Sequence, residues 1–397
     1  MIKPSLDYKY QVLEHVTNLA YNRNASSVGE TKAITYIKDE LEKSQIDARI
    51  EHFEFSGARR MVMRIFYTLF ITYLLIFRLF LVIITYYIIK TLFATTRKLT
   101  FIKKEESKNI YTLVSARNGS DLRPLVIFTA HYDSFASIVP YRFQKVLFFI
   151  FRVIIVPFLG FLVLIALLLI LDVVYYESLS RYIFNFIILS SIVQFFVIAI
   201  IVLLVYEINR SYGSIDNASG VSILIELAKQ ISGKPLENID VLFLWTGAEE
   251  WGNKGAKYFY KEHTKDILLK YDIDNSCNIN IDMVGSYIGL VDKIGVVRKK
   301  KINENLNDLL SESAEELNIP LVKYSAKVEP RSEQGVFRKL KKVKKNFQIA
   351  FFHSAKDSKF IHSSQDTPDK CSAESLNGCL AICHKTLLKM DSDIDSN

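Results

Sequence analysis

Five places along the chain put metal-binding side chains where an apolar run ends or a polar loop turns. His131 and Asp133 follow the run at 124–130, and Asp216 sits in SIDNASG at 214–220, ahead of a helix. Glu249 and Glu250 follow the run at 239–244, Asp282 follows 278–281, and His362 lies in the loop IHSSQDTPD. Two histidines with three carboxylates form a nitrogen and oxygen donor set that suits zinc, including a pair of zinc ions sharing one carboxylate. Taken singly, each piece has an ordinary reading. A His-x-Asp is a structural turn, a Glu pair is a solvated face, and Asp-Asn is a helix cap. Their joint appearance at successive strand ends points to a site, because open α/β sheets build their sites at the carboxyl ends of strands.

The elements that must carry these residues alternate in type. Helices are expected over 8–21, 29–44, 221–231, 255–262, 303–317 and 374–390, from apolar positions recurring near a 3.6 period. Strands are expected over 46–55, 109–116, 124–130, 239–244, 278–281 and 347–352, with 124–130 apolar throughout, as a strand buried on both faces would be. This order predicts an α/β fold, a mostly parallel mixed sheet flanked by helices.

Two apolar segments interrupt that pattern and raise the mean hydropathy to +0.17. The runs 146–171 and 182–206 are each long enough to span a bilayer and are joined by a short polar loop, so 141–208 is predicted to be a transmembrane helical hairpin. The run from Met61 to Phe93 is too short for two ordinary spans and carries Arg78 near its middle. One crossing would put the strands at 46–55 and 109–116 on opposite sides of the membrane, so 59–94 is expected to be a re-entrant or short hairpin. The catalytic domain is then assembled from 1–58, 95–140 and 209–397. Arg59, Arg60, Arg97, Lys98, Lys103, Lys104, Arg142, Lys145 and Arg210 lie on its side of the runs, which predicts a cytoplasmic catalytic face. The same flanking charges account for much of the +8 net charge; no nucleic-acid recognition motif accompanies it, so nucleic acid is not expected as a partner. No apolar stretch opens the chain, so no cleavable signal peptide is expected. The four cysteines form no CxxC and no disulfide framework.

The stretches VIFTAHYDS (126–134), SIDNASGVSILIELA (214–228), VLFLWTGAEEWGNKGAKYF (241–259), NIDMVG (280–285) and IHSSQDTPDK (361–370) resemble the co-catalytic dizinc aminopeptidases of the bacterial leucyl-aminopeptidase type. Glutamate carboxypeptidases and glutaminyl cyclases are relatives of that family. The resemblance covers nearly all the chain outside 59–94 and 136–208. It implies a zinc exopeptidase fold, two zinc ions per chain, and hydrolysis of N-terminal residues from peptides; because the second insertion begins just after His131 and Asp133, substrates held at or released from a bilayer are expected. Asp216 is implied to bridge the metals, His131 and Glu250 to complete one ion, and Asp282 and His362 the other. Glu249 is implied to be the general base and Asp133 to hydrogen-bond the far nitrogen of His131. His353 is read as structural, because only His362 is followed by the family's Asp-Thr, here Asp366 and Thr367. Alternatives on the same fold are carboxypeptidase action, glutaminyl cyclisation, and a non-catalytic membrane scaffold.

Overall fold

The computed structural model of the chain describes residues 8–56, 104–119, 122–136 and 211–395, with isolated positions 143, 146 and 185. The chain divides into two compact units. One consists of residues 1–55, 106–136 and 208–397, the other of 56–105 and 137–207. Both expected membrane segments, 59–94 and 141–208, fall almost wholly outside the described residues. Among the described residues no helix is long and apolar enough to cross a membrane.

The first unit is built on a nine-stranded sheet. Its strands are β1 (Arg49–Phe55), β2 (Glu105–Val114), β3 (Leu125–His131), β4 (Asp240–Thr246), β5 (Cys277–Ile281), β6 (Ile288–Ile294), β7 (Lys300–Lys301), β8 (Leu321–Ala326) and β9 (Gln348–Phe352). The order across the sheet is β1-β2-β4-β3-β5-β9-β6-β7, with β8 beside β6. The four central strands, β4, β3, β5 and β9, run parallel. β2 is antiparallel to β4 and β6 antiparallel to β9. Every residue of β3, β4 and β5 is buried, as a strand with helices over both faces requires.

The helices are α1 (Tyr8–Asn18), α2 (Val28–Glu42), α3 (Ser219–Gly233), α4 (Lys254–Lys270), α5 (Leu306–Glu316), α6 (Gln334–Val343) and α7 (Ala373–Asp395). Side chains alternate between the two sheet faces. Leu125, Ile127, Leu242 and Leu244 pack with Phe259 of α4 and with Phe337 and Leu340 of α6. Phe128, Phe243 and Trp245 form a stacked row on the other face, where the Trp245 indole donates to the Val221 carbonyl of α3 at 3.3 Å. Each fully buried side chain of this size contributes about 1.5–3 kcal/mol, so the central strands form a stiff base for whatever their ends carry.

The expected elements are present with shifted bounds. β1 starts at Arg49 rather than 46, and α4 runs on to Lys270. β6, β7, β8 and α6 have no counterpart in the sequence reading. β8 is exposed or half-buried along its whole length, so it lacks the apolar signature of a core strand and is defined by pairing with β6.

Candidate metal centre

Three of the four parallel strands end in a residue expected to act at the site. His131 closes β3, Glu249 and Glu250 follow β4, and Asp282 follows β5. Asp216 lies in the buried turn that opens α3, and His362 in the loop before α7. Three non-glycine residues here adopt left-handed backbone, namely Ala248 (φ 51°), Met283 (φ 77°) and His362 (φ 56°). Such conformations cost free energy and persist where surrounding structure holds them, typically at functional sites.

The five expected ligands converge, in two groups that share Asp216. His131 Nε2 lies 3.1 Å from Asp216 Oδ1 and 3.4 Å from Asp282 Oδ1. His362 Nε2 lies 3.3 Å from Asp216 Oδ2 and 3.0 Å from Glu250 Oε1. Two ligands each about 2.0–2.1 Å from a tetrahedral zinc sit about 3.3 Å apart, so these separations match the edges of zinc coordination polyhedra. Asp282 Oδ1 and Glu250 Oε1 are buried and accept no hydrogen bond from the described residues, which is costly unless a cation faces them. The donor set therefore fits two zinc ions, each with three protein ligands and room for water or substrate.

The grouping corrects the implied pairing. His131 belongs with Asp282, and Glu250 with His362. β4 and β5 both lie beside β3; Asp282 follows β5 directly and meets His131, while Glu250 is carried beyond β4 by the Thr246–Glu250 turn.

Asp133 also departs from its expected contact. His131 Nδ1 donates to the Asp133 backbone carbonyl at 3.1 Å, and the carboxylate is farther away at 3.6 Å. That carboxylate instead accepts from the backbone N–H groups of Glu249 at 2.9 Å and Glu250 at 3.1 Å. Asp133 thus holds the turn bearing both acids. Glu249 belongs to neither metal group and accepts from Asn253 Nδ2 at 2.6 Å, leaving its second oxygen for a proton.

Residues assigned no role at the metals from the sequence hold the rest of the centre. Asp366 accepts from the backbone of Ile215 at 2.6 Å and Asp216 at 3.3 Å. Asn217 accepts from Gly220 and Met283 backbone N–H groups and donates to the Ile281 carbonyl, tying the Asp216 turn to the end of β5. His353 stacks on Phe351, and its Nδ1 lies 3.3 Å from the Asp282 carbonyl; it is in neither metal group. Glu333, fully buried, accepts from Thr246 Oγ1 at 2.5 Å. At the rim, Phe135 meets the His362 ring edge-on at 5.4 Å, and Trp251 lies 6.4 Å from Phe135 and 6.5 Å from Phe55.

Burial and mutual interaction shift the titration of most of these groups. Burial lowers the pKa of His131, but Asp133, Asp216 and Asp282 outweigh it and hold the imidazole well above its ordinary value. His362 is raised against burial by Glu250 and Asp216. Asp216 is driven down, the two histidines overcoming burial. Burial pushes Glu249 well up, opposed by His131 and reinforced by Glu250. Asp366 is pushed up to about 7 by burial and by Asp216.

Residues 202–387 match the profile of Peptidase family M28. Over 76 residues the chain is 36% identical to aminopeptidase YwaD of Bacillus subtilis (strain 168); the match spans 19% of this chain and 16% of that relative. Among solved structures, an aminopeptidase from Aneurinibacillus sp. strain AM-1 is similar with a TM-score of 0.56 at 15% identity, covering 96% of this chain and 93% of that one. A zinc aminopeptidase from Bacillus subtilis has a TM-score of 0.54 at 13% identity, covering 96% and 94%. The glutaminyl cyclase of Fimbriiglobus ruber has a TM-score of 0.57 at 12% identity, covering 98% and 97%. The fold is therefore that of these aminopeptidases and of this glutaminyl cyclase.

Proposed function

We propose that this chain is a membrane-bound, two-zinc exopeptidase that removes N-terminal residues from peptides. The observation that carries the reading is Asp216, whose two oxygens face two separate ligand groups. A complete second group favours a two-metal peptidase over a cyclase that works with one ion. Bound zinc would lower the pKa of a water and polarise the scissile carbonyl. Glu249, outside both ligand groups, would act as general base, taking a proton from the attacking water and returning it to the leaving amine. Asp133 keeps Glu249 and Glu250 in register, so the base and a ligand stay fixed relative to each other.

The membrane part of the reading rests on the apolar runs in the sequence, with the catalytic unit assigned to the cytoplasmic face. The chain ends that border both insertions support it. β2 begins at the end of the sheet where β4 finishes, and the Phe55 ring at the end of β1 lies 6.5 Å from Trp251. Ala136 and Ser211, the described residues that border the other insertion, lie five residues from His131 and from Asp216 in the sequence. Peptides held at or released from a bilayer are accordingly the substrate class.

The test combines zinc analysis with paired peptides carrying free or blocked amino termini. Two zincs per chain and cleavage of the free-amino peptides alone are expected. Glu249→Gln should keep both ions and lose about 10²–10⁴-fold in rate. One zinc with cyclisation of N-terminal glutamine, or equal cleavage of blocked peptides, would overturn the reading.

A further inference from the structure

The most enclosed cation among the described residues outside the ligand set is Arg23, which is fully buried. It lies in the loop between α1 and α2, far in sequence from every ligand. Its Nε donates to the Tyr132 carbonyl at 2.8 Å, Nη1 to the Tyr212 carbonyl at 2.8 Å, and Nη2 to the Gly213 carbonyl at 2.8 Å. Further Nη1 bonds reach Tyr21 and Leu19 in its own segment. Its main chain is seated as well: Arg23 N donates to Ser134 Oγ at 2.9 Å, and Ser134 N to the Arg23 carbonyl at 3.4 Å. No carboxylate of the described residues pairs with it. Burial disfavours its charge, while Tyr21, Asp366, Asp133 and Asp216 oppose that effect.

These acceptors are not scattered. Tyr132 follows His131 directly, Ser134 follows Asp133, and Gly213 lies three residues before Asp216. The Gly213 carbonyl also accepts the Ala218 N–H at 2.9 Å, closing the turn that carries Asp216. Gly213 has φ 60°, and a Cβ there would meet Ser134 Cβ at 2.6 Å and Arg23 Nη2 at 2.8 Å. Space at this junction is thus reserved for the guanidinium. Residues 135–211 lie between the two fastened segments, so without such a tie a long stretch of chain would separate His131 from Asp216.

We propose that Arg23 is a positioning residue of the metal centre. It fastens the His131–Ser134 segment to the Tyr212–Asp216 segment, and so sets the spacing of the ligands in the His131–Asp216–Asp282 group. A planar fork with donors on three nitrogens is needed to bridge three chain segments at once, which the single nitrogen of lysine cannot do. The inference rests on the two-metal reading of the site but not on peptide hydrolysis.

The experiment is zinc binding by competition with a chelator on the whole protein, with His131→Ala and His362→Ala identifying the two binding steps. Arg23→Lys should weaken the step lost in His131→Ala by about 10-fold or more, and leave the other within about threefold, the range seen when residues behind metal ligands are changed. Leu310→Ala, a core truncation in α5, serves as a stability control and should leave both steps as in wild type. Ser134→Ala removes only the hydroxyl that seats the Arg23 main chain. It should weaken the same step by a smaller factor, and it decides the matter if Arg23→Lys does not fold. In Arg23→Ala, millimolar guanidinium should restore the weakened step. The proposal is overturned by wild-type binding of both ions in a folded Arg23→Lys, by an unchanged step in Ser134→Ala, or by equal losses in Leu310→Ala. Wild-type protein that binds two zincs yet cleaves no peptide would sink the exopeptidase reading and leave this one standing. Wild-type protein that binds none would sink both.

Discussion

Replacing Asp133 by asparagine separates two accounts of that residue. If its carboxylate served His131, the substitution would disturb the His131–Asp216–Asp282 group. The structure instead gives both carboxylate oxygens to the backbone N–H groups of Glu249 and Glu250, and gives His131 a backbone carbonyl that the substitution leaves in place. Asparagine presents one oxygen and one NH2, so one of the two N–H groups loses its acceptor and faces a donor. A hydrogen bond to a charged group contributes about 1.5–3 kcal/mol. At about 1.4 kcal/mol per tenfold, the ion held by Glu250 and His362 should bind about 10- to 100-fold more weakly. The ion held by His131 should change little. Chelator competition resolves the two steps once His131→Ala and His362→Ala have assigned them. Weakening of the His131 step with the His362 step intact would refute the reasoning and restore Asp133 to the imidazole.

Other consequences follow from the same geometry. Asp216→Asn keeps one oxygen but puts a non-ligating NH2 in place of the other, so zinc should fall to one ion or none per chain; two retained ions would contradict the shared bridge. His131 and His362 are held above their ordinary pKa in the metal-free protein, so protons compete with zinc from a higher pH than for an ordinary histidine near 6.5. Zinc affinity should therefore decline as pH falls through the neutral range, and affinity that stays flat down to about 6.5 would speak against that competition. The four cysteines, Cys277, Cys371, Cys379 and Cys383, are all buried, which leaves a cysteine introduced at Ser178 as the main target of a thiol reagent in intact membranes. Labelling of that site from outside, with the catalytic unit shielded, is the expected outcome, and labelling from the cytoplasm would reverse the proposed sidedness.

The convergence of the five candidate ligands was legible in the sequence because strand-end chemistry is local. A residue after an apolar strand must emerge at the carboxyl edge of a parallel sheet, whichever strand lies beside it. His131, Glu250 and Asp282 could be placed at one edge on that ground, and the motif around His362 singled it out from His353. Partnership was not legible, because it depends on the order of strands across the sheet and on the turn after each. β4 and β5 both flank β3, and the length of the turn after each strand then put Asp282 rather than Glu250 beside His131. The same holds for groups that act through backbone atoms. The carboxylate of Asp133 reaches N–H groups more than a hundred residues away, and Asn217, Asp366 and Arg23 hold carbonyls or N–H groups of other segments. Backbone donors and acceptors are alike at every position, so no residue pattern marks them as partners; only the folded chain, by bringing such groups within hydrogen-bond reach of one another, decides which side chain each will bind.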